Sequence, residues 1–161
     1  RDRVGVGSVF VITIPFEIAR EQKKDEEIAE KYNIRGLHLL AAEDNELNAE
    51  IIEMLLTDDG AKVTVVKNGR QAVECFENNP PGTFDAILMD VMMPVMDGIA
   101  ATKAIRAMDR ADAKTIPIIA MTANAFEEDA KRCFAAGMTA HLAKPFQIED
   151  VEKTIVECCG K

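Results

Sequence analysis

The sequence predicts an α/β protein built on a doubly wound, five-stranded parallel sheet flanked by five helices. From residue 37 onward, apolar runs of strand length alternate with amphipathic stretches at helical spacing. The chain has 161 residues, 48% of them hydrophobic, which is enough for one well-filled core. We expect the strand order 2-1-3-4-5, with helices on both faces of the sheet.

Five pairs of a strand and a helix can be placed along the chain. The strands are predicted at Leu37 to Ala42, Ala61 to Val66, Phe84 to Met89, Ile116 to Met121 and Thr139 to Leu142. The helices are predicted to begin near Glu46, Gly69, Gly98, Ala125 and Gln147. Apolar residues at helical spacing predict the faces that enter the core, which are Leu47, Ile51 and Leu55 in the first helix, Ala72, Val73 and Phe76 in the second, Phe126, Ala130 and Phe134 in the fourth, and Ile148, Val151 and Ile155 in the last.

The first 35 residues have a different pattern. The run GVGSVFVITIP at positions 5–15 is typical of a strand that is apolar on both faces, and the charged stretch at 17–36 is typical of a helix. We interpret this segment as the end of another unit, followed by a linker. Its Gly-Val-Gly lacks the third glycine of a dinucleotide-binding loop and precedes a strand instead of following one, so a site of that kind is excluded.

The composition restricts the possible functions. Basic and acidic residues balance within positions 1–35, so the net charge of -9 falls on positions 36–161, which argues against direct nucleic-acid binding. The four cysteines have no spacing that indicates a zinc site or a disulfide framework. Because no apolar run approaches the roughly 20 residues that span a bilayer, and no signal-peptide pattern is present, we expect a cytoplasmic chain without membrane contact.

Polar side chains follow four of the predicted strands. In open parallel sheets, ligands bind beyond the carboxyl ends of the strands where the winding direction reverses, which is here between strands 1 and 3. Strand 1 leads to Glu43 and Asp44, and strand 3 leads to Asp90. The adjoining strands 4 and 5 lead to Thr122 and Lys144. The topology therefore gathers three carboxylates, one hydroxyl and one amine at a single edge.

The chemistry of these groups predicts a magnesium site beside a nucleophile. Two carboxylates about 4 Å apart repel by roughly 4 kcal/mol at an effective dielectric constant near 20, so three of them require a cation. Oxygen ligands alone favour Mg²⁺ over zinc. Asp90 is then suited to attack phosphorus and form an aspartyl phosphate, with Lys144 clamping the phosphoryl oxygens and Thr122 donating a hydrogen bond to one of them. Pro94 and Gly98 would shape the turn that leaves this aspartate accessible.

Each of these residues also has a plain structural interpretation. Glu43 and Asp44 could start and cap a helix, Thr122 could be another cap, and Lys144 could be a surface charge. Their joint placement at four strand ends of one sheet favours the functional interpretation.

Residues 37–159 resemble the response-regulator receiver domains of two-component signalling, which have a CheY-like, flavodoxin-like fold. The resemblance rests on LLAAEDN, ILMDVMMPVMDG, IIAMTAN and HLAKPF, in the family's order and spacing. It implies that Asp90 is the phosphoacceptor, that Thr122 and Lys144 bind the phosphoryl group, and that the bond from Lys144 to Pro145 is cis. It also implies a Mg²⁺ site whose ligands are Glu43, Asp44, Asp90 and the carbonyl of Met92.

The resemblance further implies roles in switching and in loss of the phosphoryl group. Members of the family switch when the threonine, here Thr122, moves and an aromatic residue on strand 5 turns inward. His141 occupies that aromatic position, and we expect its protonation to bias the switch near neutral pH. Met92 and Asn124 flank the path of the attacking water, and a methionine side chain cannot orient water through a hydrogen bond. We therefore expect a longer phosphoryl lifetime than in fast chemotaxis-type members.

The opening segment resembles another part of the same signalling system. GVGSVFVITIPF is similar to the final strand of a histidine-kinase ATP-binding domain. The resemblance implies a fragment of a hybrid histidine kinase, with a kinase remnant at 1–16, a charged linker at 17–35 and a receiver domain at 36–161. Because the nucleotide-binding glycine boxes and the phosphorylated histidine are absent, we expect no ATP-dependent kinase activity from this fragment, whose parent could be membrane-anchored.

The expected partners are the dimerisation and phosphotransfer domain of a histidine kinase or a separate histidine phosphotransfer protein. The apolar strand at 9–14 could also pair with a second copy and give a dimer. Three functions compete with phosphoryl acceptance: a degenerate receiver that acts as a phosphorylation-independent docking module, a haloacid-dehalogenase-like phosphatase and a flavodoxin-like FMN carrier. The phosphatase needs a second aspartate where the chain has Met92, and the acidic cluster would repel the FMN phosphate in the absence of a metal.

Overall fold

The computed structural model of the chain describes residues 32–124 and 126–160. The strand predicted at 5–15, most of the charged stretch that follows it and the dimer through the strand at 9–14 lie outside the described residues. Ile34 lies in a turn ahead of the first strand and is buried in the core.

In the part of the chain that the structure describes, five parallel strands form the sheet, in the order β2-β1-β3-β4-β5. Their bounds are His38–Ala42 for β1, Lys62–Val66 for β2, Ala86–Asp90 for β3, Ile118–Thr122 for β4 and Ala140–Ala143 for β5. The predicted fold class and strand order are confirmed. The predicted ends were one residue short for three strands, because β3 includes Asp90, β4 includes Thr122 and β5 includes Ala143.

Within the described residues, five helices flank the sheet. They are α1 at Glu46–Asp58, α2 at Gly69–Asn78, α3 at Gly98–Ala107, α4 at Glu127–Ala136 and α5 at Ile148–Cys159, with a short 3-10 turn at Ala111–Lys114. The first three helices begin at the predicted residues, α4 begins two residues later than predicted and α5 one residue later. Within the described ranges, no helix combines the length and the apolar character that crossing a bilayer requires.

The side chains of the central strands alternate between two cores. On β3, Ile87 and Met89 enter the core beneath α2 and α3, whereas Ala86 and Leu88 enter the core beneath α1 and α5. Both faces of β1, β3 and β4 are therefore covered, as their nearly continuous apolar sequences predict.

The predicted core face of α1 is wrong. Leu47 is 65% exposed and Ile51 is also exposed, while Leu55 is only half-buried. The buried residues of α1 are Ala49, Ile52 and Leu56. The helix carries two adjacent apolar stripes, and the stripe with the small alanine packs on the sheet while the other faces outward.

The predicted core face of α4 is also wrong. Phe126 and Phe134 are exposed, and Ala130 is half-buried. The helix instead buries the smaller side chains of Cys133 and Ala136 against its neighbours. Small side chains let the helix approach the sheet closely, which leaves its large aromatic residues outside.

Candidate functional site

Asp90 is the last residue of a strand that is buried throughout, and it is itself only 5% exposed. The chain turns back directly after it, and the amide of Gly98 donates to the Val91 carbonyl at 3.0 Å. A side chain at position 98 would overlap the Asp90 carbonyl oxygen, so only glycine allows this close approach. Asp97 then caps α3 by accepting a hydrogen bond from the amide of Ala100 at 2.7 Å.

Lys144 joins the end of β5 to the carboxylates. Its backbone amide donates to the Thr122 carbonyl at 2.7 Å, and its peptide bond to Pro145 is cis, as predicted. Its Nζ lies 2.5 Å from Oε2 of Glu43 and 3.1 Å from Oδ2 of Asp90. Because it contacts two buried carboxylates, its interpretation as a surface charge is excluded.

Three carboxylates from two strand ends meet beside this lysine. Glu43, Asp44 and Asp90 each offer an oxygen, and the three oxygens lie within 4.8 Å of one another. Asn45, whose side chain accepts from the amide of Asn48, is the N-cap of α1, so the cap interpretation of Asp44 is excluded. Because the donor set is made of oxygen alone, it suits a hard divalent cation such as Mg²⁺.

The local electrostatics favour the charged form of Lys144 and disfavour the charged form of Asp90. Burial raises the pKa of Asp90, the charge and hydrogen bond of Lys144 oppose the increase, and the negative charge of Glu43 adds to it. Although burial lowers the pKa of Lys144, its contacts with Glu43 and Asp90 outweigh that effect and raise it. A bound cation would relieve the same repulsion between the carboxylates.

Thr122 lies on the other side of Asp90, at the end of β4. It is buried, and its Oγ1 accepts a hydrogen bond from the amide of Asn124 at 3.1 Å, which leaves the hydroxyl hydrogen to be donated. A small cavity of about 80 Å³ opens beside it, with Met92, Asn124 and Arg132 among its lining residues. No pattern in the sequence indicated Arg132, which reaches this cavity from the first turns of α4.

Met92 and His141 occupy different positions relative to the carboxylates. The Met92 amide donates to Oδ1 of Asp90 at 3.1 Å, and its side chain is 74% exposed. His141 pairs with Ala120 in the sheet and is half-buried. Its Nε2 is buried and has no hydrogen-bond partner among the residues that the structure describes. Pro94 is exposed in the loop after β3.

A larger cleft of about 390 Å³ runs from the carboxylates along α1. Glu43 and Lys144 line one end, and Ile51, Ile52 and Phe146 provide apolar walls. The outward stripe of α1 lies next to it, with Leu47, Ile51 and Met54 all exposed. The sequence did not identify this cleft, because Ile51 was assigned to the core and no pattern placed Phe146 beside it. The site thus joins a buried carboxylate, a paired ammonium group and a metal-binding oxygen cluster to an apolar surface.

The chain is similar to receiver domains of signalling proteins. The family model of the response regulator receiver domain matches residues 39–156. The peroxide stress-activated histidine kinase mak1 of Schizosaccharomyces pombe is 37% identical over 140 residues, which are 85% of this chain and 8% of that kinase. The chain spans only 6% to 16% of the length of the curated histidine kinases that it matches.

Two solved structures bear on the site. The first is the receiver domain of the sensor histidine kinase PA1611 from Pseudomonas aeruginosa, which has a magnesium ion coordinated in its active-site cleft. It is 41% identical to this chain, with a TM-score of 0.70, and the match covers 78% of this chain and 99% of that domain. The second is the co-crystal structure of the Saccharomyces cerevisiae histidine phosphotransfer protein Ypd1 and the receiver domain of Ssk1. The matched chain is 27% identical to this chain, with a TM-score of 0.69, and the match covers 79% of this chain and 91% of that one.

Proposed function

Because the chain belongs to the response regulator receiver domain family, we propose that Asp90 accepts a phosphoryl group from a phosphohistidine and so places the chain in a phosphorelay. The observation that carries this proposal is the contact of Lys144 with both Asp90 and Glu43 at the carboxyl edge of the sheet. An ammonium group held between two buried carboxylates is positioned for an incoming anionic group.

In the proposed reaction, a carboxylate oxygen of Asp90 attacks phosphorus as the bond from phosphorus to the histidine nitrogen breaks. The nitrogen keeps the electron pair of the broken bond, and an acyl phosphate forms on the aspartate. Lys144, 3.1 Å from Oδ2, pairs with a phosphoryl oxygen as charge builds on it, and the Thr122 hydroxyl donates to another. The buried position of Asp90 limits the access of competing water.

A magnesium ion fits the oxygen cluster described above. Its proposed ligands are Glu43, Asp44, Asp90 and the Met92 carbonyl. When bound, Mg²⁺ supplies positive charge that reduces the repulsion between the attacking carboxylate and the phosphoryl oxygens.

We infer that the phosphoryl donor docks on α1. The outward stripe of this helix, Leu47, Ile51 and Met54, borders the cleft that leads to Lys144. A second stripe on the same helix carries Glu46, Glu50 and Glu53, of which Glu46 pairs with Lys67 at 2.7 Å, and the stripe is acidic in sum. A helical histidine phosphotransfer protein, or the dimerisation domain of a kinase, would cover the apolar stripe and place basic groups opposite the acidic one.

The identity of the parent protein is part of the proposal. We propose a cytoplasmic location and a hybrid histidine kinase, with a remnant of its ATP-binding domain at 1–16, a linker at 17–35 and the receiver domain at 36–161. The similarity to histidine kinases over most of the chain supports this assignment. In such a parent, the ATP-dependent step belongs to another domain.

We propose that His141 takes part in switching. Its buried Nε2 has no hydrogen-bond partner among the described residues, which is costly in the present conformation, so a change that gives it a partner would be favoured. We expect phosphorylation to raise the affinity for the partner less in His141→Phe than in the natural chain. Titration calorimetry with the phosphotransfer partner, before and after phosphorylation, measures this, and an equal gain in both proteins would count against the role.

Intact-mass measurement after incubation with phosphoramidate and Mg²⁺ tests the proposed function. The natural chain should gain one phosphoryl group, and Asp90→Asn should gain none. Asp109→Asn, a change at an exposed aspartate outside the cluster, is the matched control and should behave as the natural chain does. Folded protein that gains no mass would favour the competing function, a docking module that works without phosphorylation.

A further inference from the structure

A second buried carboxyl group, Glu152, lies in α5 away from the site described above. It is only 4% exposed and sits on the face of the helix that carries Val151 and Ile155 into the core. An ionised carboxylate at such a position would lose its hydration without gaining a counter-ion. The side chain therefore needs either a cation or a proton.

Among residues 32–124 and 126–160, the groups that face Glu152 do not supply a cation. Asp59, which caps the C-terminal end of α1, shares a hydrogen bond with it, and α1 has no basic residue in its last turn. Burial first, and then Asp59 and Glu149, raise the pKa of Glu152 to about 7. Arg35, which lies against Gly60, and the exposed Lys153 do not contribute to this shift. A proton is therefore the remaining means of neutralising the pair.

The contact between Glu152 and Asp59 lies along the seam between α1 and α5. An apolar cavity of about 70 Å³ between these helices is lined in part by Leu56 and by Val151, the neighbour of Glu152. This cavity shares Ile51, Ile52 and Phe146 with the cleft that leads to Lys144. The helix that ends at Asp59 therefore supplies Ile51 and Ile52 to the cleft, and Phe146 lies in the loop that leads into α5, which carries Glu152.

We propose that a protonated Glu152 donates a hydrogen bond to Asp59 and so joins α5 to the end of α1, and that loss of this proton weakens the contact between the two helices. The contact between the two helices is argued from the burial of Glu152 and from its acidic neighbour Asp59. Its consequence for docking is that the cleft becomes less rigid when Glu152 loses its proton, and this part alone rests on the proposed function.

The sign of the effect follows from linkage. The folded chain holds the Glu152 proton at pH values where the unfolded chain, with an ordinary glutamate value of 4.5, has lost it. This stabilisation is fully present below pH 4.5 and is lost as the pH rises through about 7. Between pH 6 and pH 8, the folding equilibrium constant should fall by about tenfold on account of this one group.

Urea unfolding at pH 6 and pH 8 tests the proposal in the full chain. The ratio of folding constants at the two pH values should be about tenfold larger in the natural chain than in Glu152→Gln, which removes the titration but keeps a hydrogen-bonding side chain. Glu149→Gln on the same helix is the matched control and should retain most of the natural ratio. Equal ratios in the natural chain and in Glu152→Gln would overturn the proposal.

Carbon NMR of the glutamate carboxyl groups gives a second test, whose main observation is made on the natural chain. One glutamate should titrate near pH 7, and Asp59→Asn should move its midpoint to lower pH. If every glutamate titrates below pH 5.5, Glu152 does not hold the proposed proton. Phosphorylation by phosphoramidate should proceed in Glu152→Gln as in the natural chain, so a failure of Asp90 to react would count against the proposed function and not against the proton on Glu152.

Discussion

Two buried carboxyl groups, Asp90 and Glu152, show how neighbouring side chains decide what a buried acid does. They are 5% and 4% exposed, and burial is the largest cause of the raised pKa of each. Asp90 has the ammonium group of Lys144 3.1 Å away, whereas Glu152 faces the carboxyl group of Asp59. The lysine favours the anion that can attack phosphorus, and the second carboxyl group favours retention of a proton.

Removing the charge of Lys144 should produce the largest effect. In Lys144→Gln, Asp90 loses its opposing charge and its pKa rises further, while the transferring phosphoryl group loses a donor. We expect phosphorylation by phosphoramidate to slow by about 100-fold, as measured by mass spectrometry over time. The exposed Lys153→Gln is the control. A rate within twofold of the natural chain would mean that the lysine does not set the chemistry of Asp90.

Replacing Glu152 with an apolar residue should increase the stability of the chain. Glu152→Leu fills the site with an apolar side chain and removes the need for a proton, so we expect the free energy of unfolding at pH 8 to increase by about 2 kcal/mol. The increase should be smaller at pH 5, where the natural chain holds its proton. Glu149→Leu is the control and should change stability by less than about 0.5 kcal/mol. Destabilisation of Glu152→Leu at pH 8 would show that the contacts of the Glu152 carboxyl group stabilise the chain by more than its burial costs.

The loop after Asp90 differs from the regular helix around Glu152 because it contains backbone strain. Val95 has a φ of 67°, a left-handed conformation that a β-branched residue rarely adopts. We expect Val95→Asn to stabilise the chain by about 1 kcal/mol, because asparagine tolerates this conformation. Val95→Ala should recover only part of that gain. Thermal unfolding of both variants checks this, and a loss of stability in Val95→Asn would mean that the valine side chain contributes a contact that outweighs the strain.

The smallest expected effect concerns Met92, beside the cavity that adjoins Thr122. Met92→Gln introduces an amide that can orient water near the phosphorylated Asp90, so the phosphoryl group should be lost a few times faster than from the natural chain. Met54 is also an exposed methionine but lies on α1, so Met54→Gln is the control and should leave the lifetime of the phosphoryl group unchanged. Decay of the phosphorylated natural chain within seconds would contradict the long lifetime expected of a methionine at position 92.

The sequence was sufficient for the sheet and for the grouping of Asp90 with Lys144, because both depend on where strands end. It was not sufficient for the orientation of α1. Ile51 and Ile52 are adjacent and equally apolar, and a rotation of one residue decides which of them enters the core. The exposure of Leu47 and Ile51 is therefore decided by how the helix packs on the sheet, which the local sequence does not indicate.

Glu152 could not be identified from the sequence for a related reason. A glutamate beside Lys153 in an amphipathic helix is usually solvated, and nothing in its local sequence indicates burial. Its environment depends on Asp59, which is 93 positions earlier in the chain and meets it only when α1 and α5 pack together. Sequence periodicity reports local structure, whereas the state of this carboxyl group is set by a tertiary contact.

Chemical trapping of the phosphorylated residue tests the central claim most directly. Borohydride reduces an acyl phosphate to an alcohol, so a phosphorylated aspartate becomes homoserine and can be located by peptide mass spectrometry. After treatment with phosphoramidate and Mg²⁺, the account predicts homoserine at position 90 alone and none when the metal is removed. Homoserine at any other position, with Asp90 unmodified, would contradict the assignment of Asp90 as the phosphoacceptor.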